Sequence, residues 1–159
     1  QESRGLGDVY KRQEEYNDVI NTNLFSSFYL LSTFAKRMKN GSALFFSSVA
    51  ASLGLSNHEV ISSAKSGIEG FVRSAAATYS KDNLRVNAIA PSIMESNMSK
   101  KILSTEQAIE ISKSMHPIPK IGTYSDILPV VRWLMSDDAD WVTGQTINID
   151  GGLSKIKPR

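Results

Sequence analysis

Apolar positions first fall into a regular rhythm at Tyr16, Val19, Ile20, Leu24, Phe28, Leu31, Ala35 and Met38, spaced mostly three or four apart. That spacing lays one apolar stripe along a helix, and Asn40-Gly41 supplies a stop, so an amphipathic helix is expected over 14–39. The rhythm then gives way to a short continuous run, SALFFSSV, bounded by Gly41 and small residues, which reads as a buried strand. After a polar loop to Asn57, Ala64, Ile68, Phe71, Ala75 and Tyr79 restore the helical spacing over 58–80, and Lys81-Asp82-Asn83 breaks it. RVNAIA reads as a second buried strand, stopped by Pro91. Between Met94 and Lys120 the pattern loosens. Ser104 with Gln107 predicts a capping box for a short helix there, with Pro117 and Pro119 close behind. A segment of this kind between regular elements reads as a flap over a site. Thr123 with Asp126 caps a last helix to about Ser136, and QTINID is a final strand closed by Gly151-Gly152. Helix, strand, helix, strand, flap, helix, strand implies parallel strands joined by crossover helices, an α/β fold.

The first thirteen residues, QESRGLGDVYKRQ, carry neither period and no initiator methionine. Residues 1–13 are expected to be a sequencing or assembly scar, and 14–159 the C-terminal portion of a single domain that begins upstream of Glu14. The composition, 41% hydrophobic and 21% charged over 159 residues, is that of one globular domain. A net charge of +2 provides no concentrated basic surface for nucleic acid, and Lys155–Arg159 reads as a solvated basic terminus. The absence of cysteine removes disulfides and thiolate metal sites and fits a reducing compartment. Asp137, Asp138 and Asp140 lack histidine partners, so no metal site is expected. No apolar run approaches the ~20 residues that span a bilayer, and a cytoplasmic location without membrane attachment is expected.

Three segments line up as candidate chemistry. Ser47-Ser48 ends a strand, Lys65 lies early in the following helix, and RVNAIAPS ends the next strand. Parallel α/β sheets bind ligands at the carboxyl ends of their strands, so Ser48 and Pro91-Ser92 would face one crevice. This order and spacing, with RVNAIAP and TGQTINIDGG, resembles the C-terminal half of the short-chain dehydrogenase/reductase family from about Glu14 to Gly152. The resemblance implies the C-terminal half of a Rossmann-type doubly wound parallel sheet, NAD or NADP as cofactor, a small-molecule substrate, and hydride transfer between nicotinamide and a carbonyl or alcohol. It also implies a homo-oligomer, dimer or tetramer, joined through helices 14–39 and 58–80; the small residues Ser63, Ser66, Gly67 and Gly70 suit close helix contact there. Carried over by position, Ser48 matches the catalytic serine, Lys65 the catalytic lysine and Asn23 the helix asparagine. Pro91, Ser92, Met94 and Ser96 match the loop that meets the nicotinamide, where the family more often has glycine at the second of these and threonine at the last. The family's glycine-rich phosphate loop belongs to the N-terminal half, and no G-x-G-x-x-G occurs here.

One position departs from the pattern in a way that bears on mechanism. Ile61, thirteen residues after Ser48 and four before Lys65, occupies the slot of the family's proton-donating tyrosine. Loss of a positioned general acid typically costs about 10²- to 10⁴-fold in rate. His58, seven residues before Lys65, stands at the wider spacing of the family's enoyl-reductase branch. It shares a helical face with Ile61 and Lys65 if the helix starts by Asn57. His58 therefore has two readings, a substitute donor or a first-turn residue partly in solvent. Enoyl reduction using His58 or Lys65, and a non-catalytic cofactor-binding role, stand beside carbonyl reduction. Ser47, Trp133 and Trp141 read as packing residues.

Overall fold

The computed structural model describes residues 6–157. Three parallel strands form its centre: β1 (Ser42–Phe46), β2 (Arg85–Pro91) and β3 (Thr146–Ile149), in the order β1-β2-β3. Ser42 to Phe46 align with Arg85 to Ile89, and Ala88 to Pro91 with Thr146 to Ile149. β2 is therefore covered on both edges and both faces, and Val86 to Ala90 are all buried. A strand buried this way reads as an unbroken apolar run, which RVNAIA supplies. Its one polar interruption, Asn87, is fully buried and satisfied. The side-chain amide donates to the Val142 carbonyl at 2.8 Å, and its oxygen accepts from the Gln145 N–H at 3.0 Å.

Alternation along the strands sends residues to two cores. Ala43, Phe45, Val86 and Ala88 meet α2 (Ser26–Phe34) and α3 (Glu59–Tyr79) on one face. Leu44, Ile89, Ile147 and Ile149 meet α5 (Tyr124–Met135) on the other. Helices thus lie on both faces, as a doubly wound sheet requires. Fully burying a side chain such as Ile68, Ile89 or Leu134 contributes about 1.5–3 kcal/mol each. The C-terminal end of α5 is fastened to the sheet by Arg85, whose guanidinium donates to the Leu134 and Ser136 carbonyls at 2.8 and 3.0 Å.

The first helical region differs from the single helix expected over 14–39. The helix α1 runs Leu6–Ile20, so Glu14 lies inside it, and the absence of helical pattern inferred for 1–13 does not hold from Leu6 onward. Residues 1–5 of that segment lie outside the described residues. Arg12, Gln13, Glu14 and Glu15 are straight-chain residues of good helix propensity, which sustain a helix without an apolar stripe. A wide π turn, Asn21–Phe25, then separates α1 from α2. In the flap, Thr105 rather than Ser104 is the N-cap, its hydroxyl accepting from the Ala108 N–H at 3.2 Å, and α4 spans Glu106–Ser114. Thr123 caps α5 as the sequence predicts, with the Asp126 carboxylate accepting from the Thr123 N–H at 2.8 Å and its hydroxyl at 2.9 Å.

Candidate active site

The carboxyl end of β1 turns at Ser47 and Ser48. Ser47 points inward; its buried hydroxyl lies 2.9 Å from Glu69 Oε1 and 3.2 Å from the Lys65 carbonyl, which ties the strand end to α3. Ser48 is extended, at φ −161° and ψ 155°, and caps the 3₁₀ turn Val49–Ala51, accepting from the Ala50 N–H at 3.2 Å. Its hydroxyl proton stays uncommitted, because that contact uses only a lone pair. The turn after Ser48 is stitched to the start of α3, where Ser62 and Ser66 donate to the Ala50 and Ala51 carbonyls at 2.7 and 2.9 Å.

Lys65 rises from the same helix and donates from Nζ to the Phe46 carbonyl at 2.9 Å. One of its three N–H donors is thereby engaged. Burial pushes its pKa below the usual lysine value, because the charged form loses hydration. Ile61, half-buried one turn earlier, offers only hydrocarbon.

Asn23 sits in the π turn and donates from Nδ2 to the Val19 carbonyl at 3.0 Å. Isolated π turns within helices often mark functional positions. The neighbouring Leu24 rests on Gly67 of α3: a Cβ there would lie 2.9 Å from Leu24 Cδ2. The turn carrying Asn23 is thus docked two residues beyond Lys65. Ser48, Lys65 and Asn23 are each held by backbone groups rather than by one another, on three elements joined through α3.

His58 is exposed and serves as N-cap of α3 at φ −115° and ψ 15°, with Nδ1 2.8 Å from the Ser56 carbonyl oxygen. The regular helix begins at Glu59, so the condition for a shared face with Lys65, a start by Asn57, is not met. The ring is turned back toward the preceding loop.

The loop after β2 is strongly structured. Ser92 donates its N–H to the Ile149 carbonyl at 3.3 Å, extending the β2–β3 pairing. Met94 bridges to Gly122 and packs in the core beneath α5. The Ser96 hydroxyl lies 3.2 Å from Ser99 Oγ, and the Ser96 N–H donates to that same oxygen at 3.0 Å. Sequence reasoning passed over His116. It is buried, with Nε2 2.7 Å from Ser92 Oγ and Nδ1 2.8 Å from the Ser112 carbonyl. A lone histidine in a loose segment carries no periodic signal, and only the fold brings it to Ser92. Asp150, also buried, ends β3 beside it. Burial pushes its carboxyl upward, but the Ser154 hydroxyl, the Ser154 and Gly152 amides and the neighbouring His116 outweigh this and hold it below the usual range.

A parallel layer wound on both faces, with a serine, a half-buried lysine and an ordered loop at the carboxyl ends of its strands, is the arrangement of a Rossmann-type domain. Residues 6–154 match the protein family described as enoyl-(acyl carrier protein) reductase. Among curated relatives, a chloroplastic tropinone reductase homologue of Arabidopsis thaliana is 33% identical over 88% of this chain and 44% of its own length. The 3-oxoacyl-[acyl-carrier-protein] reductase FabG of Thermotoga maritima is 33% identical over 91% of the chain and 59% of its own. A solved 4-hydroxyisoleucine dehydrogenase complexed with NADH superimposes with a TM-score of 0.86 at 26% identity, over 91% of this chain and 61% of that one. The chain belongs to the short-chain dehydrogenase/reductase family. It spans about half the length of the curated relatives it matches.

Proposed function

We propose that the protein of which this chain forms the C-terminal part is an NAD- or NADP-dependent oxidoreductase acting on a carbonyl or alcohol, with an atypical proton donor. The observation that carries this is the pairing of a Ser48 hydroxyl with its proton free and a Lys65 ammonium with unspent donors, both fixed to the end of β1. That donor set fits a nicotinamide nucleotide: Lys65 would hold ribose hydroxyls, and Pro91, Ser92, Met94 and Ser96 would line the ring. The cofactor supplies or accepts the hydride. Ser48 donates to the substrate oxygen as negative charge grows there. Asn23 braces its own turn through the Val19 carbonyl, and Leu24 beside it docks that turn on α3. Ile61 donates nothing, and Lys65 stands one turn further along α3. The burial that lowers its pKa also makes its ammonium a readier proton source. The test is Ile61→Tyr in a form that includes the complete nucleotide-binding half. Its kcat/KM on simple ketones should rise, by up to about 10²- to 10⁴-fold. An unchanged rate with cofactor still bound would overturn the reading.

Enoyl reduction is a second reading, favoured by the description of the matched family and by Ile61 in the tyrosine slot. His58 would deliver the proton only if its ring left the Ser56 carbonyl and turned toward Lys65. Under this reading His58→Phe lowers turnover on enoyl thioesters by roughly two orders of magnitude at unchanged cofactor affinity. Unchanged turnover assigns the proton to Lys65 or water. Cofactor binding without turnover on either substrate class would support a non-catalytic role.

A further inference from the structure

We propose that Ser92 and His116 act as one unit that makes Ser92 a hydrogen-bond acceptor toward bound ligand, selecting a ligand N–H or O–H over an anionic oxygen at the end of β2. The inference rests on reading residues 91–96 as a ligand-facing loop, and it adds a positioning residue, His116, that neither the family pattern nor the sequence supplied.

Proton counting carries it. The Ser112 carbonyl, 2.8 Å from His116 Nδ1, can only accept, so Nδ1 carries the proton. In the neutral ring Nε2 is then bare and must accept, and the group 2.7 Å away is the Ser92 hydroxyl. Ser92 has one hydroxyl proton, and it is given to His116. Toward any third group its oxygen offers lone pairs only. The ring does not turn freely to exchange these roles, since it is buried and both nitrogens are engaged. Asp150 takes no hydrogen bond from the ring, since its oxygens accept from Gly152 and Ser154. The assignment is for the neutral imidazole; in the charged ring, which the neighbouring carboxylate favours, both nitrogens would donate and Ser92 would keep its own proton.

The backbone around the pair is equally fixed. Ser112 belongs to the last turn of α4, so His116 joins the flap helix to the end of β2. Beside it, the Ile118 N–H donates to the Gly151 carbonyl at 2.9 Å. Gly151 has φ +58°, and a Cβ there would lie 3.1 Å from the Ile118 oxygen and 3.4 Å from His116 Cβ, so a bare backbone is needed. Ser92 itself is only half-buried.

The chain has two histidines, so its imidazole spectrum is simple and His58 is an internal control. Long-range ¹⁵N–¹H correlation on the whole chain above the imidazole pKa should show His116 protonated at Nδ1 and bare at Nε2. In Ser92→Ala the His116 Nε2 resonance should move to that of an unbonded acceptor, while His58 stays in place. Millimolar nicotinamide, which carries an amide N–H, should shift the Ser92 backbone amide and His116 Nε2 several-fold more than nicotinate, which presents a carboxylate. Ser92→Ala should abolish that difference. A proton on Nε2, or an Nε2 resonance that ignores Ser92→Ala, overturns the pair whatever the probes do. An equal or larger response to nicotinate overturns the selection. If the tautomer is as stated and neither probe reaches Ser92, the ligand-facing reading of the loop falls and the selection with it.

Discussion

At the scale of single residues, the site combines a retained polar frame with one apolar substitution. Under the proposed function, Ser48, Lys65 and Asn23 stand where the resemblance places the family's polar groups, and Ile61 offers no phenol among them. The environment of Lys65 is testable through linkage. Its pKa is lowered in the folded state by burial, so between that lowered value and the ordinary ~10.4 the unfolded chain binds more protons. Stability therefore rises with pH across that window, and below it the folded state carries the full desolvation cost. Lys65→Met removes the titrating group. The urea midpoint of the parent should climb relative to that of the variant as pH is raised from 7 toward 10. Parallel midpoints over that range would show that Lys65 is not desolvated. The loss of the Phe46 hydrogen bond shifts the variant by a constant amount and leaves the slope untouched.

At the scale of elements, most regular structure was legible because burial wrote it into periodicity. RVNAIA reads as a strand because every position is inside, and α3 because Ala64, Ile68 and Ala75 fall on one face. The π turn was harder. Ile20, Leu24 and Phe28 are spaced by four, a faint sign of a wider turn, but averaging over a long helix conceals it. What places that turn is the contact of Leu24 with Gly67, which no local pattern encodes. Gly67→Val should cost about 1–3 kcal/mol in urea denaturation and displace the turn bearing Asn23, seen as amide shifts at Asn21–Phe25. Unperturbed amides there would mean that the turn is set by α1 alone. The Ser92–His116 contact was illegible for the same reason, since 24 residues separate partners that only the fold joins. The cap of α5 shows the opposite case, a local signal that holds. The Lys120 hydrogen bond, followed by those from Thr123, lowers the Asp126 pKa to about 2. A depressed carboxylate contributes stability that is complete above its unfolded value, ~3.9, and lost as pH falls through the folded value. Asp126→Asn should flatten the acid limb of stability between about pH 4 and 2. An acid limb identical to the parent's would remove Asp126 from the cap.

At the scale of the whole molecule, the same chain that packs two cores leaves large apolar groups in solvent. Along α1, the π turn and α2, Tyr16, Phe25, Tyr29, Leu30 and Phe34 are 50%, 42%, 72%, 56% and 46% exposed. Phe28, between them, turns inward to pack against Phe71 of α3, ring centroids 4.7 Å apart and planes tilted by 48°, so this surface has a fixed backing rather than a loose helix. An apolar face of this kind on a rigid element marks an interaction surface. It coincides with the helix through which the family resemblance implies subunit contact. The sheet offers a competing surface: among the described residues β1 pairs only with β2, and Phe46 at its end is 52% exposed. The two make different predictions. If the helical face joins copies of the chain, sedimentation at micromolar concentration should give a discrete dimer or tetramer. Tyr29→Arg, which places a charge on the most exposed aromatic of that face, should then shift the chain to monomer with its circular dichroism unchanged. If association runs through the edge of β1, Tyr29→Arg leaves it intact and Phe46→Lys abolishes it. Association without defined stoichiometry, insensitive to either change, would remove both surfaces as specific interfaces.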